Sequence, residues 1–244
     1  MFEKLFEKYP RICFFDTETT GLHPEGKDQI IELAAIVVDR NGNTSEMDEF
    51  IRLHTLDTIP QKVTELTGIM DLTVGSEGID EPDAVKKFFE MVYPKDDDLF
   101  DDAPALLVAH NAHFDLMFLA HAVLRMRDNG MPHEYACFKD SDYLDTLSIY
   151  RDRRRYPHKL ENAIAEYGLA GKVENSHRAI DDAKALFEVA KKMDEEKGDI
   201  YKYINIFGFL KKFGPEKHPF KKVTYVPQGF DNLTSKPIYD RAGR

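Results

Sequence analysis

The order of hydrophobic patterns along the chain limits the fold more than any other sequence feature. Short apolar runs at 12–15, 30–38 and 105–109 predict buried β-strands. Asn41-Gly42 is typical of a tight hairpin, so residues 44–53 are expected to return as a strand beside the second run. The first part of the chain is therefore predicted to form paired strands.

Helical spacing of apolar residues becomes more frequent further along the chain. It predicts helices over 83–93, 114–127, 160–167 and 183–193, with weaker strand candidates at 135–138 and 143–144. The acidic stretch 96–102 is predicted to be a solvated loop. Strands that alternate with helices indicate an α/β fold.

The composition fits one soluble domain with an appendage. The 244 residues are 42% hydrophobic and 32% charged, which is enough apolar material for a core and too much for a disordered chain. No run approaches the ~18 apolar residues of a membrane span, and the first residues lack the apolar segment of a signal peptide. Cys13 and Cys137 are too few for a disulfide framework or a four-ligand zinc site. We therefore expect a cytoplasmic, reduced protein with no membrane partner.

The charge is unevenly distributed. Residues 201–244 carry nine Lys and Arg against three acids, a net charge of +6, so residues 1–200 carry −17 of the formal total of −11. An acidic body disfavours nucleic acid unless bound cations neutralise the acids, because phosphate binding is largely electrostatic. The change of composition predicts a domain over 1–197 and a basic, aromatic-rich C-terminal appendage over 198–244. Its aromatic side chains either stack on bases or pack onto the domain.

Carboxylates occur at or near the ends of three predicted elements. The first strand runs directly into Asp16 and Glu18, which are two residues apart and so point to one face. Two such charges need a cation or a proton, unless the pair caps a helix or stays in water. Asp115 falls near a helix start, where an acid also interacts favourably with the helix dipole. Asp182 borders a buried stripe and needs a partner there, whereas Asp181 is expected to face solvent.

Together these acids suggest a metal site at one edge of the sheet. Carboxylate oxygens with few soft ligands favour Mg²⁺ or Mn²⁺ over zinc. Two such ions about 3.5–4 Å apart can clamp a phosphodiester and activate water. His177 lies near Asp182 in sequence and offers an imidazole as general base for that water.

Three sequence strings resemble the exonuclease motifs of the DEDD superfamily. They are FFDTETTGL (14–22), AHNAHFDLMFL (109–119) and HRAIDDA (177–183). His177, five residues before Asp182, resembles the DEDDh branch, which includes the epsilon proofreading subunit of bacterial DNA polymerase III, RNase T and oligoribonuclease. Further matches are QIIELAAIVV (29–38), LTGI (66–69), YLDTLSIYR (143–151) and KLENAIAEYGL (159–169). The resemblance spans roughly residues 10–195.

The resemblance implies a ribonuclease H-like α/β fold, with a mixed five-stranded sheet flanked by helices. It implies that the metal-binding acids are Asp16, Glu18, Asp115 and Asp182, with Asp16 bridging two divalent cations, Mg²⁺ or Mn²⁺. His177 resembles the general base. The residues that resemble the substrate-binding positions are Thr19, Thr20, Gly21, Leu22 and Asn111.

The activity implied by this resemblance is metal-dependent 3′→5′ hydrolysis of single-stranded DNA to nucleoside 5′-monophosphates. RNA is the alternative substrate, because the motifs do not reveal whether the site accommodates a 2′-hydroxyl. Proofreading would need a DNA polymerase on another chain. A catalytically silent nucleic-acid-binding scaffold is a further alternative, although such proteins usually lose an acid and all five catalytic positions are filled here.

Two other polar groups have alternative interpretations. The basic cluster Arg151, Arg153, Arg154 and Arg155 either balances nearby acids or contacts substrate phosphates. His110 and His113 have a spacing that zinc sites also use, but no cysteine or third histidine lies near them in sequence, so a zinc site is not expected.

Overall fold

A five-stranded sheet forms the centre of the molecule. The computed structural model describes residues 1–94, 103–211, 220–230 and 236–243. The strands are β1 (Arg11–Thr19), β2 (Ile30–Asp39), β3 (Thr44–Phe50), β4 (Leu106–Ala109) and β5 (Asp142–Asp145). Their order is β3-β2-β1-β4-β5, in which β1, β2 and β3 pair antiparallel and β1, β4 and β5 pair parallel. The predicted α/β fold with a mixed five-stranded sheet is confirmed.

Helices cover both faces of this sheet. They are α1 (Glu3–Phe6), α2 (Gln61–Thr67), α3 (Asp71–Ser76), α4 (Glu81–Val92), α5 (Ala112–Asp128), α6 (His133–Asp140), α7 (Thr146–Arg153), α8 (Leu160–Glu166), α9 (Ala179–Lys197) and α10 (Ile238–Arg241). Gly198 ends α9 with a left-handed φ of 59°, a conformation that glycine adopts at little cost. The predicted helices at 83–93, 114–127, 160–167 and 183–193 are all confirmed.

The alternation of side chains along β1 creates two hydrophobic layers. Cys13 and Phe15 point into the layer that α4, α5 and α6 cover, whereas Ile12 and Phe14 point toward α8 and α9. Asp16 and Glu18 continue the second series, so their side chains leave the strand on the α9 face. The alternation of side chains along β1 therefore places the two acids on the face that α9 covers.

One predicted strand is wrong. Residues 135–138 lie inside α6, where Glu134 and Phe138 are buried four residues apart. A short run containing Tyr135, Cys137 and Phe138 suits a strand by composition, and periodicity does not separate the two structures in so short a window. The strand candidate at 143–144 is confirmed within β5, and the acidic stretch 96–102 lies outside the described residues.

The C-terminal segment adds a small parallel sheet of β6 (Ile206–Leu210) and β7 (Thr224–Gln228). Phe207 and Phe220 are buried in the same layer as Phe15. Asn205 covers the edge of β5, because its N–H donates to the carbonyl of Tyr143 (2.8 Å) and its Oδ1 accepts from the N–H of Tyr143 (2.9 Å). These aromatic side chains pack onto the domain, whereas Phe213 lies outside the described residues.

Candidate active site

The carboxyl ends of β1 and β4 bring the first two motifs together. These strands are parallel neighbours, with Phe14 opposite Val108, so the residues that follow β4 meet Asp16 and Glu18 at one edge of the sheet. Asn111 has a left-handed φ of 70° and begins α5. This abrupt turn from strand to helix places Asp115 in the first turn of α5, beside β1.

Thr17 and Asp145 fix the position of α5. The N–H and hydroxyl of Thr17 both donate to Oδ1 of Asp115, at 3.1 and 2.7 Å. The backbone N–H groups of Asn111 and Ala112 donate to Oδ1 of Asp145, at 3.0 and 3.1 Å. Asp145 also caps α7. Asp115 is therefore held by Thr17 of β1, and the start of its helix is held by Asp145 of β5.

The third motif is held on both sides of His177. The amide of Asn175 donates to Asp182 (2.6 Å), and the guanidinium of Arg178 donates twice to Oε1 of Glu32, at 2.9 and 2.7 Å. The N–H of Ala179 donates to the other oxygen of Glu32 (2.9 Å). These contacts hold His177 at a φ of 57°, in the left-handed region that side chains with a Cβ seldom occupy.

Three of the five predicted catalytic residues form a compact set of ligand atoms. One atom each from Glu18, His177 and Asp182 lies within 4.8 Å of the others. His177 is exposed and Asp182 is buried, so the set opens to solvent on one side. Asp16 and Asp115 lie outside this set, but their charges interact with it and with each other.

The clustered acids resist ionisation. Burial, together with the charges of Asp115, Asp182 and Glu18, holds the pKa of Asp16 well above its ordinary value. Burial is also the main reason why the pKa of Glu18 rises to about 8, that of Asp115 to about 7 and that of Asp182 to about 6. Carboxylates that share so small a volume need protons or cations, because their mutual repulsion is strong at low dielectric.

The predicted substrate loop folds back on itself beside this cluster. The Thr19 hydroxyl donates to the carbonyl of Gly21 (2.7 Å), and the Thr20 N–H donates to the carbonyl of Gln29 (2.9 Å). A Cβ on Gly21 would lie 2.3 Å from the Asp28 carboxylate, so this close approach requires glycine. The side chain of Leu22 is 71% exposed. The loop therefore presents one apolar side chain to solvent, whereas Thr19 and Thr20 are buried.

His110 and His113 contact different parts of the chain. His110 contacts Thr146 (3.0 Å) and the carbonyl of His158 (2.9 Å), whereas His113 contacts the hydroxyl of Tyr225 (2.5 Å). The two histidines thus have separate partners.

Two arginines of the basic cluster are paired with acids. Arg153 binds Glu196 (3.2 Å) and also Asp199, and Arg154 binds Glu166 (2.9 Å) and Glu196 (3.0 Å). These pairs support the interpretation that Arg153 and Arg154 balance nearby acids.

Sequence reasoning missed the residues that support the site. Glu32 could have been identified from the sequence, because it is the one charged residue within the apolar run 30–38. In the structure its side chain is fully buried. Its partner Arg178 was not identifiable, since the pairing joins residues 146 positions apart. Asp145 and Asn175 likewise act through contacts that only the fold creates.

Carboxylates gathered with an exposed histidine at the end of a mixed sheet define a class of α/β hydrolases that cleave phosphodiesters. Within that class the chain belongs to the RNase T exonuclease family, whose sequence profile matches residues 13–190. The predicted exonuclease assignment is thereby confirmed. Across the described ranges, no helix is both long and apolar enough to cross a membrane.

Several relatives are similar to most of this chain. The DNA polymerase III subunit epsilon of Treponema pallidum is 29% identical over 191 residues, which are 78% of this chain and 80% of that protein. The PolC-type DNA polymerase III of Clostridium perfringens is 32% identical over 75% of this chain, and the 3′-5′ exonuclease DinG of Bacillus subtilis is 33% identical over 58%. The chain spans only 11% and 13% of these two longer proteins.

Solved structures share the fold at lower identity. E. coli exonuclease I in complex with a dA16 oligonucleotide aligns with a TM-score of 0.62 and 18% identity, over 79% of this chain and 42% of that one. Cell-death related nuclease 4 aligns with a TM-score of 0.62 and 14% identity, over 78% of this chain and 65% of that one. These likenesses concern the fold.

Proposed function

We propose that the chain is a metal-dependent 3′→5′ exonuclease of the DEDDh type, which releases nucleoside 5′-monophosphates from single-stranded DNA. The observation that carries this proposal is the placement of Glu18, His177 and Asp182 within 4.8 Å of one another, beside two further acids. All five positions implied by the family motifs thus lie in one cluster of interacting charges.

The residues present fit a pair of divalent cations. The donors are carboxylate oxygens, which suit Mg²⁺ or Mn²⁺, and bound cations would offset the cost of ionising these acids, whose pKa values are raised by burial first and by neighbouring acids second. Asp16, Glu18, Asp115 and Asp182 would hold the ions. Such a pair would supply Lewis acidity toward the phosphate and lower the pKa of the attacking water.

The side chains of this chain supply the remaining steps. The exposed imidazole of His177 takes the proton from the water that attacks phosphorus, and the 3′-oxygen of the preceding nucleotide leaves. The backbone of Thr19, Thr20 and Gly21 binds the terminal nucleotide, and Leu22 packs against its base. Asn111 contacts the same nucleotide from the start of α5. His177 has a left-handed backbone, and its side chain is exposed beside the acids.

DNA is the proposed substrate because two of the three named relatives are DNA polymerase III proteins, and because the chain shares its fold with an exonuclease bound to a DNA oligonucleotide. A role in proofreading or repair would require a DNA polymerase partner on another chain. We further propose that residues 1–197 form the exonuclease domain and 198–244 an appendage, since the family match ends at residue 190. A cytoplasmic location fits the two free cysteines.

A comparison of two 5′-labelled strands of matched sequence, one DNA and one RNA, tests the activity and the substrate class. In Mn²⁺ we expect a ladder that shortens from the 3′ end, faster on DNA and absent in EDTA. A faster ladder on RNA would replace DNA by RNA as substrate. No cleavage of either strand, together with no thermal stabilisation by Mn²⁺, would favour the scaffold alternative.

A further inference from the structure

Tyr156 and Phe230 are two exposed aromatic residues whose side chains lie beside each other. Tyr156 is 67% exposed and Phe230 is 51% exposed, the highest values for aromatic residues in the described part of the chain. Their ring centroids are 5.4 Å apart and the ring planes cross at 88°. Large aromatic side chains are usually buried, so an adjacent exposed pair indicates a surface that binds something.

A chain of contacts connects this pair to the edge of the sheet that carries the acids. The Tyr156 ring lies 5.9 Å from the ring of His158. His110 Nε2 lies 2.9 Å from the carbonyl of His158 and donates to it. His110 directly follows β4 and precedes Asn111, the residue at which α5 begins. The aromatic pair therefore belongs to the same end of the molecule as Asp115.

Each aromatic residue is held by the neighbourhood of α7. Tyr156 follows the end of that helix by three residues. Phe230 follows β7, where the buried side chain of Gln228 donates to the carbonyl of Ser148 (2.8 Å) and to Asp152 (2.9 Å). Two segments far apart in sequence are thus fixed to one helix, which orders the aromatic pair before any ligand binds.

The cleft next to the pair is large enough for a nucleobase. Its volume is about 590 Å³, and its lining includes Tyr150, Arg155, Tyr156 and Pro157. Arg153 and Arg154 also line it, but acids already bind both guanidinium groups. A phosphate would have to compete with these acids for Arg153 and Arg154, whereas the Tyr156 ring is exposed to a ligand.

We propose that Tyr156 and Phe230 form a stacking platform for a base of the single strand on the 5′ side of the scissile bond. This rests on the proposed function, which requires the strand to leave the active site along the surface. Aromatic side chains stack on any base, so the platform would add affinity without sequence preference. It would act on strands of several nucleotides and not on the terminal nucleotide alone.

The test compares a long and a minimal substrate in Tyr156→Ala and Phe230→Ala proteins. We expect KM for (dT)12 to rise about 10-fold, because stacking on one base is lost, with kcat unchanged. Hydrolysis of thymidine 5′-(p-nitrophenyl phosphate), which has no upstream base, should match wild type. Tyr156→Phe should restore the KM. Tyr135→Ala, which removes an aromatic side chain on α6, serves as the control.

Binding of fluorescein-labelled (dT)12 in EDTA, followed by anisotropy, gives a second measurement that does not need turnover. A Kd that rises about 10-fold in both alanine variants but not in Tyr135→Ala supports the platform. An unchanged Kd, or an equal loss on the long and the minimal substrate, overturns it. If wild type hydrolyses neither substrate, the proposed function fails, and the Kd values alone decide on the platform.

Discussion

Glu18 and Glu32 lie opposite each other on β1 and β2, but their carboxylates have different partners. Arg178 and the N–H of Ala179 bind Glu32, which is fully buried. Within residues 1–94, 103–211, 220–230 and 236–243, no hydrogen bond or ion pair to the Glu18 carboxylate is present. Glu32 thus stabilises the start of α9, whereas Glu18 is the acid that we propose binds a cation.

Replacing Asp16 should separate activity from stability. Asp16→Asn removes the charge that interacts with Asp115, Asp182 and Glu18. We expect cleavage to fall by about 10³-fold or more, because several kcal/mol of transition-state stabilisation are lost. Since repulsion among the acids is relieved, the Tm in EDTA should stay equal or rise. Nuclease assays and thermal melts check this. A variant that keeps wild-type turnover would remove Asp16 from the site.

His177 should affect rate more than binding. His177→Ala is expected to lower kcat by roughly 10²–10⁴, the usual contribution of a general base, with little change in KM. Because its side chain is exposed, the Tm should change little. Steady-state kinetics on (dT)12 measure both constants. A decrease of only a few-fold would exclude His177 as the base.

The stability of the metal-free protein should fall as pH rises. Folded Asp115 and Glu18 have pKa values of about 7 and about 8, above those of the unfolded chain, so the folded state binds more protons. Their contribution is fully present at low pH and is lost as pH rises through these values. We expect the Tm in EDTA to decrease between about pH 6.5 and 8.5, a window above the ordinary pKa of histidine.

Mn²⁺ should oppose that decrease, because cations compete with protons for the same carboxylates. The stabilisation by Mn²⁺ is therefore expected to grow with pH over the same window. Asp16→Asn serves as the control, with a smaller dependence on both pH and Mn²⁺. A Tm in EDTA that is constant or increases toward pH 8.5 would contradict the raised pKa values.

The pair of Arg178 and Glu32 should matter for folding. Arg178→Ala leaves the buried Glu32 without its guanidinium, and we expect a loss of about 2–3 kcal/mol in the free energy of unfolding. This is less than for a wholly buried pair, because the Arg178 side chain is 34% exposed. Urea denaturation measures the change. Arg127→Ala, which breaks a surface pair with Asp128, is the control and should be neutral. Equal behaviour of the two variants would refute the structural role of Glu32.

The sequence predicted the strand and helices that carry the acids, because the strand is a continuous apolar run and the helices have apolar residues at helical spacing. It did not predict α7. Thr146, Leu147, Ser148, Ile149 and Tyr150 are all buried, so the first part of this helix has no exposed face and no amphipathic pattern. The C-terminal segment covers its outer side, since Gly208 and Gln228 bond to Ser148. Because a segment distant in sequence buries α7, the residues of this helix do not show the alternation of apolar and polar faces from which a helix is predicted.

The candidate site, like α7, could be predicted only in part from the sequence. The acids and His177 were identifiable from motif spacing, and the structure brings them together. The left-handed backbone at Asn111 and His177 was not identifiable, because hydrogen bonds that Asp145, Glu32 and Asp182 accept hold the adjacent chain. The sequence therefore indicates which groups to expect at the candidate site, and tertiary contacts determine how they are held.

The most direct test of the account uses single-stranded DNA that is radiolabelled at its 3′-terminal phosphodiester. With Mn²⁺, we expect the label to appear first and only as a nucleoside 5′-monophosphate. EDTA or Asp16→Asn should prevent its release. Label released in longer oligonucleotides, or release that persists in EDTA, would contradict a metal-dependent 3′→5′ exonuclease.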